Sequence, residues 1–339
     1  MSSRSRLAAV FGCSGPRLTA DEAAFFRDAD PLGFILFARN VAEPAQVRAL
    51  VAELRNTVGR AAPIFIDQEG GRIQRLKPPH WRAAPPAAAF GQLAARDIDA
   101  AARAAWLNAR LIAHELAALG IDVDCAPVLD NPSPSAHAVI GDRAFGRDPE
   151  VIARLGRAVA DGLLAGGVLP VVKHIPGHGR AEADSHHALP VVRSTAAELV
   201  ATDLAPFRAL ADAPFAMTAH VVYTAWDEAP ATLSTTVISE VIRGLIGFSG
   251  ALVSDDLSMK ALDGTLAERA RRAQAAGCDL VLHCNGDPGE MAEVTGAIGP
   301  LDGVSADRVD AALSRRREPP PADSTELGRE LDRLLAVAA

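Results

Sequence analysis

The strongest constraint on the fold is a repeated alternation of short apolar runs with longer helical segments. Most of the runs are continuously apolar, a pattern typical of strands buried on both faces of a parallel sheet. The segments between them carry apolar residues at helical spacing. The predicted strands are residues 7–12, 33–37, 63–67, 121–126, 167–173, 215–219, 251–254 and 279–283. The predicted helices are residues 19–28, 45–58, 95–119, 149–165, 195–211, 234–246, 266–276 and 288–297.

Eight strand–helix units in a chain of 339 residues predict an α/β fold, a single (β/α)8 barrel of the TIM type. An open doubly wound sheet is the alternative, but neither a Gly-x-Gly-x-x-Gly fingerprint after the first strand nor a Gly-Lys-Ser/Thr phosphate loop occurs. We expect the catalytic barrel to span residues 1–300, with residues 68–94 forming a long connection. Residues 301–339 are expected to form a short helical extension packed on the barrel.

Composition narrows the class of protein. A net charge of -8, from 34 basic and 42 acidic residues, argues against a nucleic-acid partner. No apolar run approaches the ~18–20 residues of a membrane-spanning helix, and the six-residue run at 7–12 is shorter than the ~7–15 residues of a signal-peptide core. The four scattered cysteines suit reduced thiols better than a disulfide scaffold. We therefore expect a cytoplasmic protein without a membrane partner. A monomer is expected as well, although the sequence leaves the oligomeric state open.

Polar residues follow most of the predicted strands. Because active sites of such barrels lie at the carboxyl ends of the strands, these residues are expected to surround one mouth. One strand-end aspartate alone would often be no more than a cap of the next helix. The residues concerned are Asp67, Asp130, Lys173, His174, Thr218, His220, Asp255, Asp256, His283 and Asn285.

The connection after the fifth predicted strand is the richest in ionisable side chains. Asp184 and His186 are two residues apart, so in an extended loop they fall on one side. A carboxylate beside a histidine favours its charged form, which suits proton transfer. A solvated histidine-rich loop is the plainer alternative.

A zinc site at His174 and His178 is a further alternative for this loop. Pro176 and Gly177 lie between the two histidines and disfavour the helix that would bring them together. No His-Glu-x-x-His or Cys-x-x-Cys pattern occurs in the sequence. We therefore expect neither a metal nor a cofactor.

Asp255 and Asp256 stand in tandem at the end of the seventh predicted strand. Neighbouring residues of a strand point to opposite faces, so one carboxylate can enter the mouth while the other supports the loop. A buried carboxylate facing a proton donor is what covalent glycoside hydrolysis requires. Two acids near the start of a helix are the plainer interpretation.

Four motifs, in order along the chain, resemble those of bacterial β-N-acetylhexosaminidases of glycoside hydrolase family 3. The longest is Lys-His-Ile-Pro-Gly-His-Gly at 173–179, followed by Asp-Ser-His at 184–186. The others are Asp-Gln-Glu-Gly-Gly-Arg-Ile-Gln-Arg at 67–75, Gly-Asp-Arg-Ala-Phe-Gly at 141–146 and Ser-Asp-Asp-Leu-Ser-Met at 254–259. Ile175 stands where the family often has an aromatic residue, and His187 directly follows His186.

The resemblance implies a retaining hydrolase that removes terminal β-linked N-acetylglucosamine from muropeptides or oligosaccharides during peptidoglycan recycling. It implies that Asp255 is the nucleophile and that His186, paired with Asp184, is the general acid/base. The positions it assigns to sugar binding are Asp67, Arg75, Arg143, Lys173 and His174. A β-glucosidase or β-xylosidase of the same family and a non-catalytic sugar-binding barrel are the alternatives.

Overall fold

A closed barrel of parallel strands forms the centre of the molecule. The structure is a computed structural model and describes residues 6–134, 139–181, 185 and 188–336. Within these residues eight strands pair in chain order, and the eighth closes on the first. They are β1 Leu7–Gly12, β2 Pro31–Leu36, β3 Ile64–Ile66, β4 Val123–Asp124, β5 Leu169–Ile175, β6 Phe215–Thr218, β7 Ala251–Asp256 and β8 Leu280–His283. The predicted barrel and all eight of its strands are confirmed.

Side chains of each strand alternate between the barrel interior and the layer beneath the helices. Val10, Val171 and Val253 belong to the inner cluster of buried side chains, whereas their neighbours pack in the larger outer cluster. In β7, Ala251 and Val253 are inner residues and Leu252 is an outer residue. The same two-residue period directs Asp255, at the end of β7, towards the mouth of the barrel.

Helices cover the outside of the barrel. They are α1 Ala20–Ala29, α2 Pro44–Val58, α3 Ala87–Ala94, α4 Ile98–Ala117, α5 Pro149–Ala165, α6 Ala196–Ala201, α7 Leu204–Ala209, α8 Leu266–Ala276, α9 Pro288–Ala297, α10 Gly303–Leu313 and α11 Ser324–Ala336, together with a π-helix at Val237–Ile246. None of the helices in the described part of the chain is long and apolar enough to cross a bilayer.

The structure corrects two of the expected elements. The predicted helix 195–211 is divided into α6 and α7. Pro206 lacks an N–H, and in a continuous helix its ring would clash with the carbonyl of Thr202, the residue that follows α6. The expected long connection at 68–94 is partly ordered. It contains an antiparallel hairpin of Gln68–Gly70 with Ile73–Gln74, followed by α3.

The helices after residue 300 lie against the barrel layer. In α11, Leu331 is buried, and Glu330 receives two hydrogen bonds of 2.8 Å from the Arg103 guanidinium on α4. In α10, Val309 and Ala312 pack among the inner-cluster residues at the base of the barrel. The boundary at residue 300 between barrel and extension stays a prediction.

Candidate active site

A cavity of about 140 Å³ opens at the carboxyl ends of the barrel strands. This volume lies below the ~300–1,000 Å³ usual for sites of drug-sized ligands, so it suits one small ring better than an extended chain. The described residues that line it are Ile35, Phe37, Asp67, Glu69, Ile73, Arg75, Val139, Ile140, Arg143, Lys173, His174, His178, Ser185, Met217, Asp255, Asp256, Met259, Leu282 and Cys284.

Five charged side chains of alternating sign form one side of this cavity, called here the paired-charge side. Arg75 donates to one oxygen of Asp67 at 2.8 Å, and Lys173 Nζ donates to the other at 2.9 Å. Lys173 Nζ also lies 2.7 Å from Glu69, and the Arg143 guanidinium holds both Glu69 oxygens at 2.8 Å. The chain of pairs leaves one cation in excess.

The pairing favours the charged forms of Asp67, Glu69, Lys173 and Arg143. Burial alone would raise the pKa of Asp67 and of Glu69, but the neighbouring Lys173 and the arginines lower both below their usual range. Burial would likewise lower the pKa of Lys173 and Arg143, but the two carboxylates raise both. The charge of this side is therefore constant over the range in which proteins are stable.

Asp124 lies beneath the paired-charge side, at the end of β4. It is fully buried, and one carboxylate oxygen accepts the Gln68 N–H at 2.9 Å. Burial, with added repulsion from Asp67 and Glu69, raises its pKa to about 7. Asp124 is therefore a carboxyl group that changes charge near neutral pH next to groups that do not.

The opposite side of the cavity, the histidine side, consists of His174, His178 and Asp255 with their supports Asp130 and His220. The buried Asp130 carboxylate accepts from His174 Nδ1 at 2.7 Å and from the backbone N–H groups of His174 and His178 at 3.1 and 2.6 Å. Since a carboxylate accepts, His174 Nδ1 carries a hydrogen, and its Nε2 is the ring nitrogen left for other contacts.

His178 and Ser185 connect this side to the loop that carries the predicted acid/base. His178 Nε2 lies 3.1 Å from Ser185 Oγ, and the carbonyl of Ser185 accepts from the N–H of Ala261. Burial lowers the pKa of His178 to about 4, so its ring is neutral at neutral pH. Asp184, His186 and His187 lie outside the described residues.

Asp255 is fixed at the end of β7 through its backbone and its carboxylate. Its N–H donates to Thr218 Oγ1 at 3.3 Å, and its Oδ1 accepts the N–H of Asp256 at 2.8 Å. Burial would raise the pKa of Asp255, but His220, His174 and the Asp256 N–H lower it, and the net direction is downward. Asp255 is therefore an anion at neutral pH.

Asp256 faces a different set of partners. Its carboxylate accepts from the N–H and the hydroxyl of Ser258, at 3.1 and 2.6 Å, and from the N–H of Cys284 at 3.2 Å. It therefore joins the ends of β7 and β8, which is the supporting role expected of one carboxylate of the tandem pair.

The structure brings six of the predicted site residues to one cavity. It also gives a role to Glu69 and Asp130, to which the sequence interpretation assigned none. The six are Asp67, Arg75, Arg143, Lys173, His174 and Asp255. Glu69 was omitted although it stands two residues after Asp67, the spacing that directs side chains to one side of extended backbone. Asp130 was noted as a strand-end acid but received no role.

Among the described residues, no group of three His, Cys, Asp or Glu is arranged to hold a metal ion.

Comparison with known proteins agrees with this geometry. Residues 9–317 match the model of the glycosyl hydrolase family 3 N-terminal domain. The chain is 41% identical over 276 residues to a β-hexosaminidase of Bordetella avium, which covers 80% of this chain and 79% of that protein. It is 43% identical over 281 residues to a β-hexosaminidase of Methylococcus capsulatus, covering 81% and 82% of the two chains.

A solved structure resembles the whole molecule. NagZ from Neisseria gonorrhoeae in complex with N-trifluoroacetyl-D-glucosamine superposes with a TM-score of 0.87 at 34% identity, covering 99% of both chains. The family match and the β-hexosaminidase relatives define the class of this closed parallel barrel as glycoside hydrolase. The chain belongs to glycosyl hydrolase family 3, which confirms the resemblance read from its motifs.

Proposed function

We propose that the protein is a retaining β-N-acetylhexosaminidase that removes terminal, non-reducing β-linked N-acetylglucosamine. The observation that carries the proposal is the Asp255 carboxylate in the cavity facing the paired-charge side. Its Oδ1 is held by a backbone N–H, while the second oxygen has no bonding partner among the described residues. An oriented, ionised oxygen beside a polar sugar-sized cavity is what covalent displacement at an anomeric carbon needs.

The reaction has two displacement steps. In the first, an Asp255 oxygen bonds to the anomeric carbon while the bond to the leaving oxygen breaks, and His186 transfers its proton to that oxygen. In the second, His186 takes a proton from water, the water oxygen bonds to the anomeric carbon, and Asp255 is released. Two inversions give retention.

Histidine suits the acid/base role beside Asp255. A second carboxylate close to the nucleophile would raise the pKa of one of the two, whereas a histidine partner does not. Asp184 orients the His186 ring and stabilises its cationic form. Ser185, the residue between them in the sequence, lines the cavity and contacts His178.

The paired-charge side binds the sugar. Asp67 accepts from sugar hydroxyls, Arg75, Arg143 and Lys173 donate to sugar oxygens, and His174 Nε2 contacts the sugar from the opposite side. Because these groups already hold one another, they are oriented before the substrate arrives and lose little freedom on binding. The N-acetylated sugar is supported by the names of the relatives and by the glucosamine derivative in the Neisseria gonorrhoeae structure.

We further propose that the natural substrates are muropeptide fragments of peptidoglycan, cleaved in the cytoplasm by a monomer during cell-wall recycling. Release of N-acetylglucosamine from purified muropeptides would support the substrate, and light scattering would test the monomer. A chain whose residues 301–339 are removed tests the proposed boundary: a folded, active barrel would support it, and an unfolded one would contradict it.

The decisive experiment is kinetics on 4-nitrophenyl N-acetyl-β-glucosaminide with the anomer of the first product observed by NMR. We expect the β-anomer, and we expect Asp255→Ala to lower kcat by roughly 10³-fold or more without unfolding. The exposed Asp263→Ala on the following loop is the matched control. An α-anomer, or turnover retained in Asp255→Ala, would remove the covalent role of Asp255.

Parallel assays separate the alternatives. Faster turnover of the corresponding glucoside or xyloside would favour another activity within the family. Binding of N-acetylglucosamine without turnover would favour a sugar-binding barrel. Loss of activity after exhaustive chelation would favour a metal-dependent hydrolase.

A further inference from the structure

Three fully buried side chains lie behind Asp255. Thr218 ends β6, His220 follows it by two residues, and Thr232 lies on a 3-10 turn at Ala231–Leu233. All three are 0% exposed. The described residues that line the cavity do not include them, so they have no direct contact with a bound sugar.

These side chains form a chain of hydrogen bonds that starts and ends on the backbone of Asp255 and Asp256. The N–H of Asp255 donates to Thr218 Oγ1 at 3.3 Å, and Thr218 Oγ1 lies 2.8 Å from Thr232 Oγ1. Thr232 Oγ1 lies 2.7 Å from His220 Nδ1, and His220 Nε2 lies 3.0 Å from the carbonyl oxygen of Asp256. The four bonds close a ring around the strand end.

The direction of each hydrogen bond follows from the last bond of the ring, between His220 Nε2 and the carbonyl oxygen of Asp256. A carbonyl can only accept, so His220 Nε2 carries a hydrogen, and in a neutral ring Nδ1 is then an acceptor. Thr232 must therefore donate to Nδ1, which leaves its oxygen to accept from Thr218. Thr218 in turn accepts from the Asp255 N–H. Each hydroxyl donates once and accepts once.

Burial favours the neutral form of His220. The titratable groups that act on it are Asp255 and Asp256 from β7 and His174 from β5, and burial lowers its pKa against the attraction of the two acids. Thr232 Oγ1 also lies 3.1 Å from the carbonyl of Ala219. With a neutral His220 the Thr232 hydroxyl is committed to Nδ1 and completes the ring.

We propose that Thr218, Thr232 and His220 are positioning residues that hold the Asp255 carboxylate at the attack distance. The inference rests on the proposed role of Asp255 as nucleophile. The ring fixes the N–H of Asp255 and the carbonyl of Asp256, the two ends of the segment whose middle carries the attacking carboxylate. A misplacement of about 1 Å can cost about 10²-fold in rate, so loss of the ring lowers kcat rather than sugar affinity.

The test compares Thr232→Val with Thr232→Ser. Valine keeps the shape and removes the hydroxyl, whereas serine keeps the hydroxyl. On 4-nitrophenyl N-acetyl-β-glucosaminide we expect Thr232→Val to lower kcat by about 10- to 100-fold with KM within about 3-fold, and Thr232→Ser to recover kcat to within about 3-fold of wild type. The exposed Thr235→Val is the matched control.

A double variant distinguishes a ring from independent packing effects. Thr218→Val breaks the same ring, so Thr218→Val/Thr232→Val is expected to be no slower than the slower single variant within about 3-fold. Multiplied losses in the double variant would overturn the inference. If Thr232→Val does not fold, Thr218→Val is judged by the same kcat and KM criteria.

Two results separate this inference from the proposed function. If Asp255→Ala is inactive while a folded Thr232→Val is fully active, the positioning role of the ring is wrong and the proposed role of Asp255 stands. An active Asp255→Ala overturns the nucleophile and the ring with it. A loss in Thr232→Val that falls on KM instead of kcat also contradicts the positioning role.

Discussion

The two sides of the cavity handle charge in opposite ways. On the paired-charge side each carboxylate lies between cations, which lowers the pKa of the acids and raises that of Lys173 and Arg143. On the histidine side burial lowers the pKa of His178 and His220, so these rings are neutral and Asp255 is the ionised group. One side has a constant charge, and the other contains groups that titrate.

The difference matches the two tasks of a glycosidase. A sugar is uncharged, and oriented ionic groups recognise its hydroxyls by hydrogen bonds that do not depend on pH. Cleavage creates positive charge at the anomeric carbon and moves a proton, so it needs a free anion and a titratable donor. Among the described residues, no cation on the paired-charge side forms an ion pair with Asp255, as its proposed role as nucleophile requires.

Removing the central cation should break the paired-charge side most severely. Lys173→Met leaves Asp67 and Glu69 buried next to each other without the ammonium between them. We expect the free energy of unfolding to fall by about 3–5 kcal/mol, the usual cost of an uncompensated buried charge. Urea unfolding at pH 7 measures it.

The matched control for this change is Lys77→Met, which removes an exposed lysine. Its effect is expected to stay within about 0.5 kcal/mol. A Lys173→Met protein as stable as the Lys77→Met protein would show that the paired-charge side does not depend on its central cation.

Asp124, beneath the paired-charge side, should make the stability of the protein depend on pH. Its pKa of about 7 in the folded protein is above the ~3.9 of an unfolded chain, so the folded state holds the proton more tightly. This contribution to stability is present below about pH 4 and is lost as the pH rises to about 7. The loss amounts to roughly 4 kcal/mol.

Asp124→Asn cannot ionise and keeps an oxygen for the Gln68 N–H. Relative to this variant, the wild type should become less stable as the pH rises from 4 to 7, by urea unfolding at several pH values. Asp263→Asn, an exposed acid, should show no such trend relative to wild type. Parallel curves for wild type and Asp124→Asn would contradict the raised pKa.

The barrel was predictable because its strands are buried on both faces. β1 consists of apolar residues and glycine throughout and β5 begins with four apolar residues, a pattern typical of strands buried on both faces. The sequence analysis did not predict the break between α6 and α7, where Pro206 lacks the N–H that a continuous helix needs. Periodicity reports burial of side chains but not the loss of one backbone hydrogen bond.

Site residues that belong to strand-end motifs were predictable from the sequence. Residues whose role depends on a contact with a distant side chain were less predictable. The spacing of Glu69 from Asp67 predicts one shared side, but the contact of Glu69 with Lys173 depends on how the hairpin folds. Thr218 and Thr232 are fourteen residues apart and have no distinctive pattern in the sequence. Their significance follows from hydroxyl contacts with His220 and Asp255 that exist only in the folded barrel.

His178 should show a pH dependence opposite to that of Asp124. Its pKa of about 4 in the folded protein is below the ~6.5 of an unfolded chain, so the unfolded state takes up the proton first. Its contribution to stability is present above about pH 6.5 and is lost as the pH falls to about 4, by roughly 3 kcal/mol.

His178→Gln removes this titration, so the stability difference between wild type and variant should shrink as the pH falls. Unfolding by urea at pH 4.5 and 7.5 measures it. The exposed His114→Gln serves as the control. If the stability difference between wild type and His178→Gln is the same at both pH values, the lowered pKa of His178 is wrong. The contrast between the two sides of the cavity would then be weaker.

The smallest change tests whether geometry, beyond charge, matters on the paired-charge side. Arg143→Lys keeps the positive charge but replaces two parallel hydrogen bonds to Glu69, both 2.8 Å, by a single point contact. Because the charge balance is unchanged, we expect a loss of about 1–2 kcal/mol, well below that of Lys173→Met. Urea unfolding compares it with Arg147→Lys, an exposed arginine four residues on. Equal stabilities of the two variants would mean that the paired-charge side needs only the positive charge at position 143. A measurable difference would mean that the planar guanidinium also holds Glu69, and through it Lys173, in place.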